Sequence, residues 1–238
     1  MVKAVIFTDF DGTVTQEDSN DYLTDNLGFG KEKRLKVFDG VIDGTTTFRD
    51  AFSQMLDSIH TPFPKCLDIL TKHIDLDPGF KDTLKWSLEN NVPIVVVSSG
   101  MRPIIKHLLT SLVGEDSINK IDIVSNEVDI HKDGEWNIVY IDDGPFGHDK
   151  SKTIDRYKRK YEAESSEKPI YFYCGDGVSD LSAAKDCDLL FARRGKDLVR
   201  YCKKQDVPFR EFDSFEDILA SIKQVLSGKK TVKELMEN

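Results

Sequence analysis

Two aspartates separated by one residue, Asp9 and Asp11, stand where a short apolar run breaks off, and Gly12 and Thr13 follow them. Alternate residues of an extended chain share a side, so both carboxylates face one spot. Held that close they repel, and a hard cation such as Mg²⁺ relieves the repulsion. Loop or capping aspartates can look the same, but the abrupt change from apolar run to acid favours chemistry. A second candidate is Ser98-Ser99-Gly100, after Val95–Val97 and before a helical pattern. A hydroxyl followed by backbone N–H groups at a helix start binds anions; an N-cap serine with a turn glycine has the same sequence. A third is Lys150 or Lys152, beside the positive end of a helix dipole, where a bound anion would explain a cation. Spacing does not choose between the two lysines. The fourth is Cys174-Gly175-Asp176-Gly177-Val178-Ser179-Asp180. Its glycines permit a tight turn. Asp176 and Asp180 are one helical turn apart and can face one point.

The elements that must position these groups follow from hydrophobic pattern. Short β-branched runs at Val2–Thr8, Pro93–Val97, Ile121–Val124, Pro169–Cys174 and Asp188–Ala192 predict buried strands. Phe80, Leu84 and Leu88, then Ile104, Ile105, Leu108, Leu109 and Leu112, then Ile218, Leu219, Ile222 and Leu226 repeat at helical spacing. Alternation of the two patterns predicts an α/β fold, a mostly parallel Rossmann-like sheet flanked by helices. The carboxyl ends of such strands are where ligands bind, and three of the four candidates lie there. Residues 15–80 carry no strand pattern; Leu23, Leu27, Leu35, Phe38, Phe52, Leu56, Ile59, Leu67 and Leu70 fall at mostly helical spacings. We read this stretch as an all-helical insertion, with 1–14 and 81–238 forming the core. Lys132-Asp133-Gly134-Glu135 is a turn signal within a β-hairpin over Glu127–Asp142.

Composition bounds the rest. With 238 residues, 33 Lys plus Arg and 42 Asp plus Glu, the formal net charge is −9, which disfavours nucleic acid or anionic membranes as partners. Four cysteines without a paired motif predict a reduced, cytoplasmic chain. No apolar segment is long enough to span a bilayer. A monomer is the expectation.

Taken in this order, the four motifs resemble those of the haloacid dehalogenase superfamily of phosphohydrolases, across residues 9–180. The insertion after the first motif resembles that superfamily's type-one helical cap. Within it the chain is similar to the phosphoserine-phosphatase-like branch and, at Ser98–Met101, Ser125-Asn126-Glu127, Phe191-Ala192-Arg193 and Phe209–Ile218, to methionine-salvage phosphatases. The overall look resembles fungal phosphatases of small sugar-alcohol phosphates. The resemblance implies a Mg²⁺-dependent phosphomonoesterase acting on a small phosphorylated metabolite. Asp9 would be the nucleophile, Asp11 the acid and base, and Ser98 and Lys150 further catalytic groups. Gly12, Thr13, Ser99 and Gly100 would bind phosphate, and Asp18 the rest of the substrate. Asp9, Asp11, Asp176 and Asp180 would form the metal site, with Asp180 behind the direct ligands. Two departures concern substrate: the place of the phosphoserine enzymes' cap arginine holds Ser53, with Arg49 one turn away, and the stretch Asp142–His148 lacks the Cys/His-rich pattern of the methionine-salvage enzymes. A non-catalytic sensor of phosphorylated ligands on the same fold is the contrasting expectation.

Overall fold

The computed structural model describes residues 2–236. Seven strands form one sheet: β1 (Ala4–Thr8), β2 (Ile94–Met101), β3 (Asp122–Ile130), β4 (Trp136–Val139), β5 (Ile170–Gly175), β6 (Leu189–Arg193) and β7 (Arg210–Phe212). Their spatial order is β4-β3-β2-β1-β5-β6-β7. All neighbours are parallel except β3 and β4, which form the antiparallel hairpin read from the Lys132–Glu135 turn. β7 is the strand that hydrophobic pattern alone does not disclose; three residues with one buried side chain give too little periodicity.

β1 lies at the centre because it is apolar on both sides. Ala4 and Ile6 pack into one core, Val5 and Phe7 into the other, and all four are fully buried. Helices α1 (Ser19–Leu27), α2 (Lys31–Ile42), α3 (Phe48–Leu56) and α4 (Phe63–Leu70) come between β1 and β2, followed by α5 (Phe80–Glu89). Only an isolated bridge, Thr15 to Leu76, interrupts this helical stretch among the described residues. The remaining helices are α6 (Arg102–Val113), α7 (Glu115–Ile118), α8 (Lys150–Glu164), α9 (Leu181–Ala184), α10 (Asp197–Gln205), α11 (Phe215–Leu226) and α12 (Val232–Met236).

The helices before β2 are not equally held. α3 buries Ala51, Phe52, Met55 and Leu56, and α4 buries Phe63, Cys66 and Leu70. Phe63 meets Trp136 edge-on at 5.3 Å, and the Trp136 indole donates to the Thr61 carbonyl. α2 has no fully buried residue: Leu35, at a spacing that predicts core, is half exposed. No helix among the described residues is long and apolar enough to cross a membrane.

Candidate functional site

The carboxyl ends of β1, β2 and β5 meet at one cavity of about 260 Å³, roofed by α1, α2 and α3. Asp9, Asp11, Ser98, Ser99, Gly100 and Asp176 line its floor. The pleat accounts for the first two: β1 stops at Thr8, and Asp9 takes its last inter-strand bond, N–H to the Cys174 carbonyl at 2.8 Å. Asp9 Oδ1 then accepts from the Phe10 N–H at 2.7 Å, and Oδ2 faces the Lys150 ammonium at 2.8 Å.

Lys150 begins α8, is fully buried, and also reaches Asp180 Oδ1 at 2.7 Å. Lys152 points to solvent and pairs with Asp149. The structure thus separates two lysines that spacing cannot. Asp180 accepts in addition from the Tyr173 hydroxyl at 2.5 Å and, through Oδ2, from the N–H groups of Asp176 and Gly177 at 2.9 and 3.0 Å. These four donors occupy both of its oxygens. Asp176 is different: its nearest cation is Lys196, 3.8 Å away at the surface.

Close packing explains two glycines. Gly12 has φ +69°, and a Cβ there would lie 2.3 Å from Asp176 Oδ2. A Cβ on Gly100 would lie 2.8 Å from Asp11 Oδ2. Any larger residue at either position must displace a carboxylate. Asp11 itself is anchored from the helical side: Oδ1 accepts from the Ser19 N–H at 2.8 Å and Oδ2 from the Asn20 amide at 3.0 Å. Asn20 is a site residue that the motifs do not reveal. Asp18 caps α1, accepting through Oδ1 from the N–H groups of Asn20 and Asp21.

The β2 end is irregular. Pairing with β3 runs to Val97–Val124 and resumes at Met101–Asn126, so Ser98–Gly100 bulge out of the ladder. Ser98 Oγ accepts from the Gly100 N–H at 3.0 Å. Asn126 donates to the Ser99 carbonyl at 2.7 Å, and the His148 ring holds the Ser98 carbonyl at 2.6 Å. A carbonyl only accepts, so Nδ1 carries the proton and Nε2 accepts from Thr153, 2.9 Å away. The Ser99 hydroxyl is buried without a hydrogen-bond partner. Gly12 and Thr13 do not line the cavity; the Thr13 carbonyl accepts from Arg193.

Burial dominates the electrostatics. It raises the Asp9 carboxyl to about 7, against the downward pull of Lys150. Asp11 and Asp176 are held well above the usual carboxylate range by burial, then by the neighbouring charges of Asp18 and Asp180 respectively. Oxygens of Asp9, Asp176 and Asp180 lie within 4.8 Å of one another, and one buried ammonium, that of Lys150, pairs with two of them, Asp9 and Asp180. Three carboxylates against one cation leave an excess of negative charge that a divalent ion fits.

The far side of the cavity has another character. Leu35, Phe38, Val41, Ile42, Phe48 and Phe52 form an apolar wall, with Asp18, Asp21 and Asp39 set into it. Burial, then the Asp18 charge, raises Asp21 to about 8. Arg34 is the one cation lining the cavity among the described residues, and it is committed to Asp21 at 2.6 Å and, through two nitrogens, to Asp25. Arg49 lies outside: it stacks on Tyr140 at 4.6 Å and donates to the Asp142 carbonyl.

Residues 6–185 match the haloacid dehalogenase-like hydrolases. The chain belongs to that family. This hydrolase is 72% identical over 241 residues, covering 100% of both chains, to a Saccharomyces cerevisiae protein named polyol phosphate phosphatase PYP1. It is 48% identical over 213 residues, covering 90% of this chain and 92% of the other, to Pdp3-interacting factor 1 of Schizosaccharomyces pombe. A solved phosphoserine phosphatase, a phospho-aspartyl intermediate analogue, superposes with a TM-score of 0.69 at 18% identity, covering 93% of this chain and 99% of that one. At that identity the likeness concerns the fold.

Proposed function

We propose that this hydrolase releases inorganic phosphate from a small phosphate ester rich in hydroxyl groups, a polyol or sugar phosphate, and that residues 15–80 act as a cap over the site. The observation that carries the reading is the two-ended cavity. One end gathers the groups that suit a phosphate, and the other offers carboxylates and apolar surface with no uncommitted cation among the described residues. Carboxylates accept hydrogen bonds from hydroxyls, whereas a substrate carboxylate would meet repulsion there. The name of the 72%-identical relative supports the same substrate class. Phosphoserine is disfavoured because Arg34 is engaged and Arg49 faces away.

In this reading Asp9 attacks phosphorus, forming an aspartyl-phosphate as the alcohol leaves, so one hard hydrolysis becomes two easier steps. Asp11 gives its proton to the departing oxygen and then takes one from the attacking water; a carboxyl held above the usual range suits both tasks. Lys150 draws Asp9 towards its anionic form, and the Ser98 and Ser99 hydroxyls, with the Gly100 N–H once it turns from Ser98 Oγ, would donate to phosphate oxygens. Asp9, the Asp11 main-chain carbonyl and Asp176 would hold Mg²⁺. Asp180, its oxygens already occupied, would fix Lys150 and the Asp176 loop behind them. When bound, Mg²⁺ offsets the repulsion between the Asp9 carboxylate and the phosphate.

The test is a screen of phosphate release from sugar alcohol phosphates, sugar phosphates and phosphoserine, with Asp9→Asn as control. Preference for polyol phosphates and an inactive control are expected. Equal turnover of phosphoserine would defeat the substrate assignment; activity in Asp9→Asn would defeat the mechanism; tight binding without turnover would favour a sensor.

A further inference from the structure

The chain enters and leaves the inserted helices through two linkers lying side by side. Thr15 bridges Leu76, the Gln16 N–H donates to the Asp75 carbonyl at 2.9 Å, and the Asp77 N–H donates to the Val14 carbonyl at 2.9 Å. One side chain from elsewhere reaches both linkers. Arg193, at the end of β6, donates from Nη2 to the Thr13 carbonyl at 2.8 Å and to Asp77 Oδ2 at 2.7 Å. Its Nη1 donates to the Asp213 carbonyl at 3.1 Å, and its plane lies 5.0 Å over the Phe212 ring. Asp77 is 1% exposed, and its Oδ1 accepts from the N–H groups of Gly79 and Phe215 at 3.0 and 2.8 Å.

Thr13 is two residues past Asp11. The loop winds round the Phe10 carbonyl, which accepts from the N–H groups of Thr13, Val14 and Thr15. A coil this short is stiff, so movement of the Thr13 carbonyl is passed on to Gly12 and Asp11, and Gly12 is packed against Asp176. We propose that Arg193 is a positioning residue: with Asp77 as its counter-ion it pins the Thr13 carbonyl, and so sets the loop that presents Asp11 and supports Asp176. This rests on the reading of Asp9 and Asp11 as the reacting carboxyls.

The chemistry suits arginine alone. A planar guanidinium serves acceptors on three chain segments and an aromatic face at once; a lysine ammonium on a flexible stem does not. A merely structural ion pair would change the fraction of folded molecules and leave turnover per folded molecule alone. A positioning residue lowers kcat while substrate binding, made elsewhere, holds KM.

The experiment measures kcat and KM per folded molecule on an aryl phosphate for the wild type, Arg193→Lys, Arg193→Met and Asp9→Asn. Arg193→Lys is expected to fold and to lose about ten- to a hundredfold in kcat, as small misplacements do, with KM changed by less than about threefold. Hydrogen exchange of the wild-type chain supplies a second readout. The Val14, Asp77 and Phe215 amides are expected to be protected to a similar degree, as parts of one anchor. Unchanged kcat in Arg193→Lys, or rapid exchange at Val14 or Asp77, overturns the proposal. Should Arg193→Met fail to fold, those two measurements still decide. An active Asp9→Asn would instead overturn the catalytic reading and leave the anchor to the exchange data.

Discussion

His148 makes this protein's stability depend on acidity in a way that can be calculated. The ring is 1% exposed, and burial lowers its pKa from 6.5 to about 4. The unfolded chain therefore takes up a proton near pH 6.5 that the folded chain refuses until about pH 4. The contribution is whole above pH 6.5 and drains away as pH falls towards 4. At ~1.4 kcal/mol per pH unit the full loss is about 3 kcal/mol, and about 2 kcal/mol is gone by pH 5. The raised carboxyls of Asp9, Asp11 and Asp176 act in the opposite sense, favouring the folded state as pH falls, so the wild-type curve alone is a mixture. His148→Asn isolates the imidazole, because its side-chain amide can still donate to the Ser98 carbonyl but does not titrate. Urea unfolding of both chains at pH 7.5 and 5.0 gives the comparison. The wild type is expected to lose about 2 kcal/mol more than the variant over that interval. Parallel losses would refute the claim that this ring is held neutral by burial.

Three further outcomes follow from the site. Gly12→Ala should lose at least about 1 kcal/mol for its left-handed backbone and most of its turnover by displacing Asp176; Gly44→Ala, at φ +74° with nothing within 4 Å, should lose stability alone, as melting curves and phosphate release will show. Lys150→Met leaves Asp9 and Asp180 buried without their shared cation, so chemical unfolding should register a loss of about 3–5 kcal/mol and phosphate release should stop. A chelator should abolish phosphate release, Mg²⁺ should restore it, and Mg²⁺ should raise the melting temperature of the wild type but not of Asp176→Asn.

The strands were legible because β1, β2, β5 and β6 are buried on both faces and so spell continuous apolar runs. The hairpin was legible from one turn. Three of the four motifs were legible because each joins a strand end to a polar loop, a local signal, and the lysine motif was legible as a cation at a helix start. What local signals omit is pairing at long range. Nothing near Arg193 or Asp77 in the chain announces that they meet, and Asn20 reads as an ordinary residue in the first turn of a helix. Lys150 and Lys152 are equivalent by spacing, and tertiary packing alone buries the first. Leu35 fits a helical spacing, yet it remains half exposed because the surface it faces is a cavity. His148, which as sequence reads as an ordinary loop residue, is buried and holds the Ser98 carbonyl.

The bridge between Thr15 and Leu76 has a bearing on how such a chain can be altered. Everything between those residues is an excursion that returns to its starting point, so from the sheet's side it is a closed loop. The entropy of closing a flexible loop grows only as the logarithm of its length, roughly 0.6 kcal/mol per doubling. The register of β1 against β2 and β5 is thus insulated from what the excursion contains. α2, which buries none of its residues, can be lengthened, shortened or exchanged there at little cost to the frame that holds the carboxylates, whereas α1 cannot, because its Ser19 and Asn20 anchor Asp11. The carboxylates at the strand ends and the exposed apolar face of α2 are, in that sense, separately editable parts of one chain.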